Sequence, residues 1–478
     1  MKKNIKNIFF TGLVTLSLVM GCTADFEEMN TNPNLFTEPN TDLVLPFVLK
    51  EMGRELNFDV IRRHGATFGQ YFVNHVATAY DRFDQESGFF NLYRPLVHAD
   101  YIYNKAEELG HENRMGVALV LKVFMFAKMT DEMGDIPYSQ ALDPTNYLNP
   151  AYDKQEDIYT DMLANLEKAN ELLSAIDDNL SETADILYGG DVFKWQRFAN
   201  SLRLRLLMRV SNKINVDAKI KEIVENPAKY PLFEGNGDNA ELPMLSKSGS
   251  YSSPLGVSAN LGDRYYNERS ASATIVDMLK AMNDPRLGAY YEPTEANPAE
   301  YVGVPAGIDG AASFNGGIQF QSKLSAKFAE DDNDYLNIKF ITYSEVMFLV
   351  AEAIQRGIAS GNAGQYYLEG IQSSMDYWDL TPDPTYYTQP SVAYDGTLKQ
   401  IITQKWLANF CVGNEAWCDY RRTGFPDFVI GPATMLGGGY AQRLMYPDGE
   451  ESINVTSLNN AIQQQGPDEM DTKMWYLK

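Results

Sequence analysis

The chain has 478 residues, 12% of them aromatic, and sets 40 basic against 64 acidic side chains for a formal charge of −24. A body this acidic repels nucleic acid and anionic lipid surfaces, so polyanion-binding functions are excluded and no nucleic-acid partner is expected. Three cysteines exclude a disulfide framework.

Lys2, Lys3 and Lys6 precede an apolar run of 13 residues from Ile8 to Met20. A membrane-spanning helix needs about 20 such residues, so this run has the length of a signal-peptide core. Val19-Met20-Gly21-Cys22 follows, with a small residue before the cut and a thiol that can carry diacylglycerol. That is the pattern of a bacterial lipoprotein signal. Residues 1–21 are the expected signal peptide and Cys22 the expected lipidation site. Two or three acyl chains, at about 0.8 kcal/mol per buried methylene, hold a protein on a membrane almost irreversibly. No later run approaches 18 apolar residues, so membrane attachment is expected through the lipid anchor only. Residues 22–40 read as an acidic tether. Asp25, Glu27 and Glu28 suit a surface-export signal and equally a solvated linker. Without residues 1–21, which hold three lysines and no acids, 37 basic residues face 64 acidic ones.

Residues 41–478 read as one mostly α-helical domain. A helix pair is expected around Leu96–Leu109 and Val117–Met133. Asp153 and Glu156 make a capping box, followed by a stripe of Ile158, Met162, Leu163, Leu166, Ala169, Leu172, Leu173 and Ile176. The next helix runs from about Phe193 to Lys213. Trp195, Phe198, Ala199, Leu202, Leu206 and Val210 form its apolar face, with Arg197, Arg203, Arg205 and Arg209 beside it. Thr342 and Glu345 cap a further helix, and Gly357 stands where a glycine would end it. A helix with Tyr366, Tyr367, Ile371 and Met375 follows at once. A last pair is expected at Leu398–Cys411 and Glu415–Thr423. Paired helices with Ala and Tyr at close-packing positions look like tetratricopeptide units, although a regular 34-residue period is missing. Irregular insertions fall at about 226–335 and 376–398, and loops this long in a compact domain are usually functional. On one continuous helix Cys411 and Cys418 would stand about 10 Å apart, too far to bridge. Val412-Gly413 can break such a helix, which leaves a bond open, but free thiols are the favoured reading.

Several segments carry a resemblance. They are Gly134-Asp135-Ile136-Pro137-Tyr138-Ser139 with Ala141, then Trp195 with Phe198-Ala199-Asn200-Ser201-Leu202 and Leu204-Arg205. Tyr343-Ser344-Glu345-Val346, Phe348-Leu349 and Ala351-Glu352-Ala353 continue the set, with Tyr366-Tyr367, Gly370-Ile371 and Ser374-Met375 after them. Thr403-Gln404-Lys405-Trp406, Glu415-Ala416-Trp417 and Tyr420-Arg421-Arg422-Thr423-Gly424 form the longest block, and Pro447, Glu451 and Asn454 close it. In this order they resemble the SusD/RagB family of outer-membrane nutrient-binding lipoproteins, more narrowly its second SusD-like branch. The resemblance implies four tetratricopeptide-like helix pairs, with long irregular loops forming a ligand face. It further implies a lid on a SusC-like TonB-dependent outer-membrane transporter, facing the cell exterior. The expected ligand is an oligosaccharide before a peptide, and no chemistry is done on it.

Most motif residues read as structural. Trp195, Trp406 and Trp417 lie on apolar helix faces and are expected in the core. Glu352, Glu415, Arg421 and Arg422 are expected in a buried ion-pair network, and Asp135 in capping a turn. The ligand site must come from elsewhere. A sugar presents C–H faces and hydroxyls, so a site needs exposed flat rings with bidentate polar groups. Tyr80-Asp81-Arg82-Phe83 has that mixture, which makes Tyr80, Arg82 and Phe83 candidates. Trp378 with Tyr386 and Tyr387, Tyr290 with Tyr291, and Tyr265 with Tyr266 are further candidates.

Catalytic signatures are sparse. The four histidines, His64, His75, His98 and His111, make no H-E-x-x-H, and no G-x-S-x-G occurs. Gly235-Asn236-Gly237-Asp238-Asn239-Ala240 matches a loose dinucleotide fingerprint, but Pro243 follows where a helix should open. No cofactor or catalytic metal is expected, beyond at most a structural calcium ion. Asp331-Asp332-Asn333-Asp334 is rich in oxygen ligands yet lacks the calcium-loop glycine and terminal glutamate. The alternatives to a nutrient-binding protein are a surface-anchored α-helical glycoside hydrolase and a helical-repeat adaptor that binds no nutrient. A hydrolase's carboxylate pair is defined by separation in space, which sequence does not show.

Overall fold

The computed structural model describes residues 40–62, 64–76, 78–84, 86–175, 180–244, 268–329 and 337–478. Its helices are α1 (Thr41–Arg62), α2 (His64–Phe68), α3 (Thr78–Arg82), α4 (Tyr93–Leu109), α5 (Glu112–Met133), α6 (Gln155–Leu172), α7 (Val192–Val210) and α8 (Asp217–Glu225). They continue with α9 (Ala273–Ala281), α10 (Arg286–Tyr290), α11 (Tyr343–Gln355), α12 (Ala363–Tyr377), α13 (Leu398–Ala408), α14 (Glu415–Thr423), α15 (Glu450–Ile453) and α16 (Val455–Gln465). Among the described residues the strands form three two-stranded antiparallel sheets. β1 (Phe72–Asn74) pairs with β5 (Arg269–Ala271), β2 (Ile136–Pro137) with β3 (Tyr152–Asp153), and β4 (Ala240–Leu242) with β6 (Ile338–Ile341).

The scaffold is a stack of helix pairs. α1 packs on α4, α4 on α5, α5 on α6 and α6 on α7; α7 then meets α11, which packs on α12 and α13. Gly110 turns α4 into α5 at a left-handed φ of 71°, with its N–H on the Ala106 and Glu107 carbonyls. Close helix approach uses small residues. A Cβ on Gly116 of α5 would lie 2.6 Å from Leu173, and one on Gly370 of α12 would lie 2.9 Å from the Phe348 ring. Trp195, Trp406 and Trp417 are all buried, in one contiguous core that runs from α1 to the C-terminal turn at Trp475–Leu477.

The helix faces match the sequence reading, while the ends differ. Thr342 caps α11 by accepting from the Glu345 N–H at 3.2 Å. The Glu345 carboxylate does not return the bond; it takes Arg205 of α7 at 2.6 and 2.8 Å instead. The Asp153–Glu156 box does not form. Asp153 lies in β3, where its carboxylate accepts from the N–H groups of Tyr138 and Ser139 at 3.1 and 2.8 Å. Asp135 accepts from Gln155 N, the first residue of α6, at 2.8 Å. The cap therefore comes from 20 residues upstream, across the β2–β3 pair. Asp191, which the periodicity did not single out, caps α7. Asn236–Asp238 is one 3₁₀ turn leading into β4, so the loose dinucleotide fingerprint has no helix N-terminus for a phosphate. Ile176 and the Asp331–Asp334 turn lie outside the described residues. Cys411 and Cys418 are free thiols.

A buried charge network ties five helices together. Arg209 of α7 pairs with Asp131 of α5 and Glu415 of α14. Arg205 pairs with Glu345, and Lys405 of α13 reaches Asp419 of α14 at 2.9 Å and Glu345 at 3.6 Å. Arg422 closes the set on Glu352 at 2.6 Å and Asp419 at 2.8 Å. Arg421 departs from its expected role. Its guanidinium lies 3.6 Å from the Trp417 ring centre and donates to the carbonyls of Gln442 and Asp131. Buried ion pairs stabilise little against apolar substitutes, but removing one partner leaves the other uncompensated. The network thus fixes how the C-terminal pair sits on α7 and α11.

Candidate ligand-binding face

Four of the candidate recognition rings are in the core. Tyr290 is fully buried, stacks on Phe410 at 4.0 Å and donates its hydroxyl to the Leu407 carbonyl. Trp378 meets Tyr290 edge-on at 5.2 Å. Tyr386 is buried with its hydroxyl on Asp284. Phe83 packs between Phe68 at 5.1 Å and Tyr440 at 4.7 Å. The reason is general: an irregular segment has no core of its own, so large rings at its ends fix it to the scaffold. Tyr291 is buried likewise and Tyr387 partly so, while Tyr265 and Tyr266 lie outside the described residues.

Tyr80 and Arg82 remain partly exposed. Both stand on α3, a single turn held between the core and two loops. The Arg82 guanidinium pairs with Asp309, whose side chain is 79% exposed. The Arg82 carbonyl accepts from Met435 N at 2.7 Å, and Gly307 O accepts from Ala433 N at 2.9 Å. The segments approach so closely that a Cβ on Gly431 would lie 2.2 Å from the Ala306 and Gly307 carbonyls. Gln70 adds a further tie, donating to the Val429 carbonyl at 2.7 Å. Beneath the face lies a small apolar cluster of Val73, Val304, Ala306 and Ala311, with Ile308 and Phe314 against it. Asp81 points inward and accepts from Asn74 N. Burial pushes its carboxyl well up, against the pull of that N–H and of Arg269. Asp309, Val429 and Met435 belong to the face and escaped the sequence reading, because nothing local to them signals a neighbour more than 200 residues away.

A serine–histidine pair borders this face, and its proton positions are informative. Ser270 Oγ lies 2.9 Å from His75 Nε2 and donates to Gln321 Oε1 at 2.7 Å. The Gln321 amide nitrogen donates to the Ala311 and Phe314 carbonyls, which fixes its orientation. The one hydroxyl proton therefore points at Gln321, and His75 Nε2 is the donor to Oγ. A general base would have to accept that proton instead. Ser270 is also fully buried, so the pair braces the 304–321 loop. Among the described residues no group of three or more His, Cys, Asp or Glu side chains could hold a metal ion. A separate groove of about 530 Å³ is lined by Asn283, Pro285, Asp383, Thr385, Tyr386 and Gln389 among others. Its one ring, Tyr386, is buried, and its polar groups are amides, hydroxyls and the Asp383 carboxylate. Tyr80, Arg82 and Asp309 stand on segments held rigidly together and supply a ring and charged groups, the kinds of side chain that hydroxylated ligands require.

A stack of helix pairs carrying a loop-built, charged and aromatic face is a binding scaffold. Residues 33–447 match the SusD-like family described as starch-binding and associating with the outer membrane, and the chain belongs to that family. Its solved relatives share the whole architecture. A SusD homologue from Bacteroides fragilis is 26% identical at a TM-score of 0.77, covering 92% of this chain and 100% of that one. A chitin-binding SusD homologue from Flavobacterium johnsoniae is 25% identical at 0.78, covering 92% and 99%. A third, from Bacteroides uniformis, is 26% identical at 0.75, covering 91% and 99%. No curated protein gives a match. The family match supports a nutrient-binding role at the outer membrane. Among the described residues no helix is long and apolar enough to cross a membrane.

Proposed function

We propose that this protein captures an oligosaccharide at the cell surface and delivers it to a partner TonB-dependent outer-membrane transporter, without acting on it chemically. On this reading Cys22 carries the lipid, residues 22–40 are the tether, and residues 41–478 form one domain that works as the transporter's lid. What carries it is the Arg82–Asp309 pair, a partly exposed guanidinium on an exposed carboxylate, on three segments locked together by main-chain bonds. Guanidinium and carboxylate on one rigid face can grip neighbouring hydroxyls while the tyrosine ring meets the C–H face of a sugar. A sugar is favoured over a peptide because the family is described as starch-binding and one relative as chitin-binding. The net negative charge also suits a neutral ligand.

The test is incubation of the mature protein with starch-derived and chitin-derived oligosaccharides, plant and host glycans, and peptides, with binding and product analysis on each. The proposal expects a glycan to bind and be recovered intact. Released products would support the helical hydrolase instead, and silence across the panel would support the adaptor. Anchoring is tested separately. Cys22→Ala should abolish fatty-acid labelling and signal cleavage, and normal labelling of that variant would reject Cys22.

A further inference from the structure

The two most exposed large apolar side chains among the described residues are Leu148, at 85%, and Ile453, at 70%. They lie far apart in sequence and side by side in the fold. Asn454 Nδ2 donates to the Pro150 carbonyl at 2.8 Å. In the orientation that satisfies its amide, Asn149 donates to the carbonyls of both Leu148 and Ile453 at 3.2 Å. The Tyr152 hydroxyl completes the tie on Glu450 at 2.6 Å. Tyr147, 43% exposed, and Val455, 47%, flank the pair. The patch is held in place before anything binds it, which lowers the ordering cost of docking.

Its surroundings limit what can cover it. Residues 140–154 and 446–465 contain Asp143, Asp153, Asp448, Glu450 and Glu451 against one lysine, Lys154, and Lys478 reaches the far end on the Gln465 carbonyl, so acids outnumber bases around the patch. A second copy of this chain would oppose acid to acid, and anionic lipid headgroups would be repelled in the same way. Branched aliphatic side chains offer no flat face for a sugar ring. An apolar centre with a charged rim has the composition of a protein interface, and an acidic rim calls for a basic one opposite. We infer that this patch docks the transporter, through apolar side chains ringed by lysine and arginine on the transporter's extracellular rim. The inference rests on the transporter partnership proposed above.

The lipidated protein is extracted in mild detergent with its transporter and purified by a tag on this chain, at low and at high salt. Wild type should retain the transporter. Leu148→Asp with Ile453→Asp should lower retention at least tenfold, with thermal stability and glycan binding unchanged because both side chains are solvent-exposed. Glu451→Lys should weaken retention at low salt, and the difference should fade as salt screens the rim. If wild type retains the transporter and the double variant retains it equally, the patch is not the docking surface and the partnership stands. If wild type itself brings no transporter, the partnership fails and the inference falls with it.

Discussion

Asp419 sits under opposed pressures. Burial raises its pKa, but Lys405 at 2.9 Å and Arg422 at 2.8 Å outweigh that and hold the carboxyl below the usual carboxylate range. Its folded pKa lies below the unfolded value of about 3.9, so the charge contributes stability above that pH and loses it as pH falls toward the folded value. Asp419→Asn should therefore cost about 3 kcal/mol at neutral pH, since Lys405 and Arg422 each lose one of two buried carboxylate partners. Denaturant titrations at pH 7 and below pH 4 should show the gap between the two proteins narrowing with acid; a gap independent of pH would remove Asp419 from this role. Charged residues at Glu352, Glu415 and Arg422 were legible as a buried network because they interrupt apolar helical stripes. Loop rings were not legible in the same way. Tyr290, Trp378 and Tyr386 follow no helical or strand period, and only the fold shows that they face inward while Tyr80 stays partly exposed.

Helix pairing turns on small residues at crossing points. Gly370 lies in a helix with ordinary φ, so alanine there gains up to about 1 kcal/mol of helix propensity. The new methyl would meet the Phe348 ring at 2.9 Å, and overpacking of this kind costs about 1–3 kcal/mol. Gly370→Ala should therefore lower stability by about 1 kcal/mol net, measured by denaturant unfolding, with the same sign for Gly116→Ala against Leu173. A stabilised Gly370→Ala would mean that α11 and α12 separate easily and that the pair is loosely packed. The helices read from their apolar period were placed within about five residues at each end, whereas α1, with 22 residues, was not read. Helix caps were less legible. Thr342 acts within its own turn and was readable, whereas Asp135 caps α6 across a strand pair that no local pattern announces.

The family was legible over residues 33–447 because most of its motif blocks fall on the buried faces of the scaffold helices. The proposed binding face was only half legible: Tyr80 and Arg82 stood out by composition, and Arg82's partners Asp309 and Met435 arrive through tertiary contacts. On the function proposed above, this face holds the ligand and the helical scaffold only supports it. Calorimetric titration of the oligosaccharide found in the binding panel, against wild type, Tyr80→Ala, Arg82→Ala and Trp406→Ala with melting curves for each, tests that division directly. Tyr80→Ala and Arg82→Ala should bind at least tenfold more weakly, about 1.4 kcal/mol, with little change in stability, and Trp406→Ala should lose about 3–5 kcal/mol of stability. Wild-type affinity in both face variants would contradict that division.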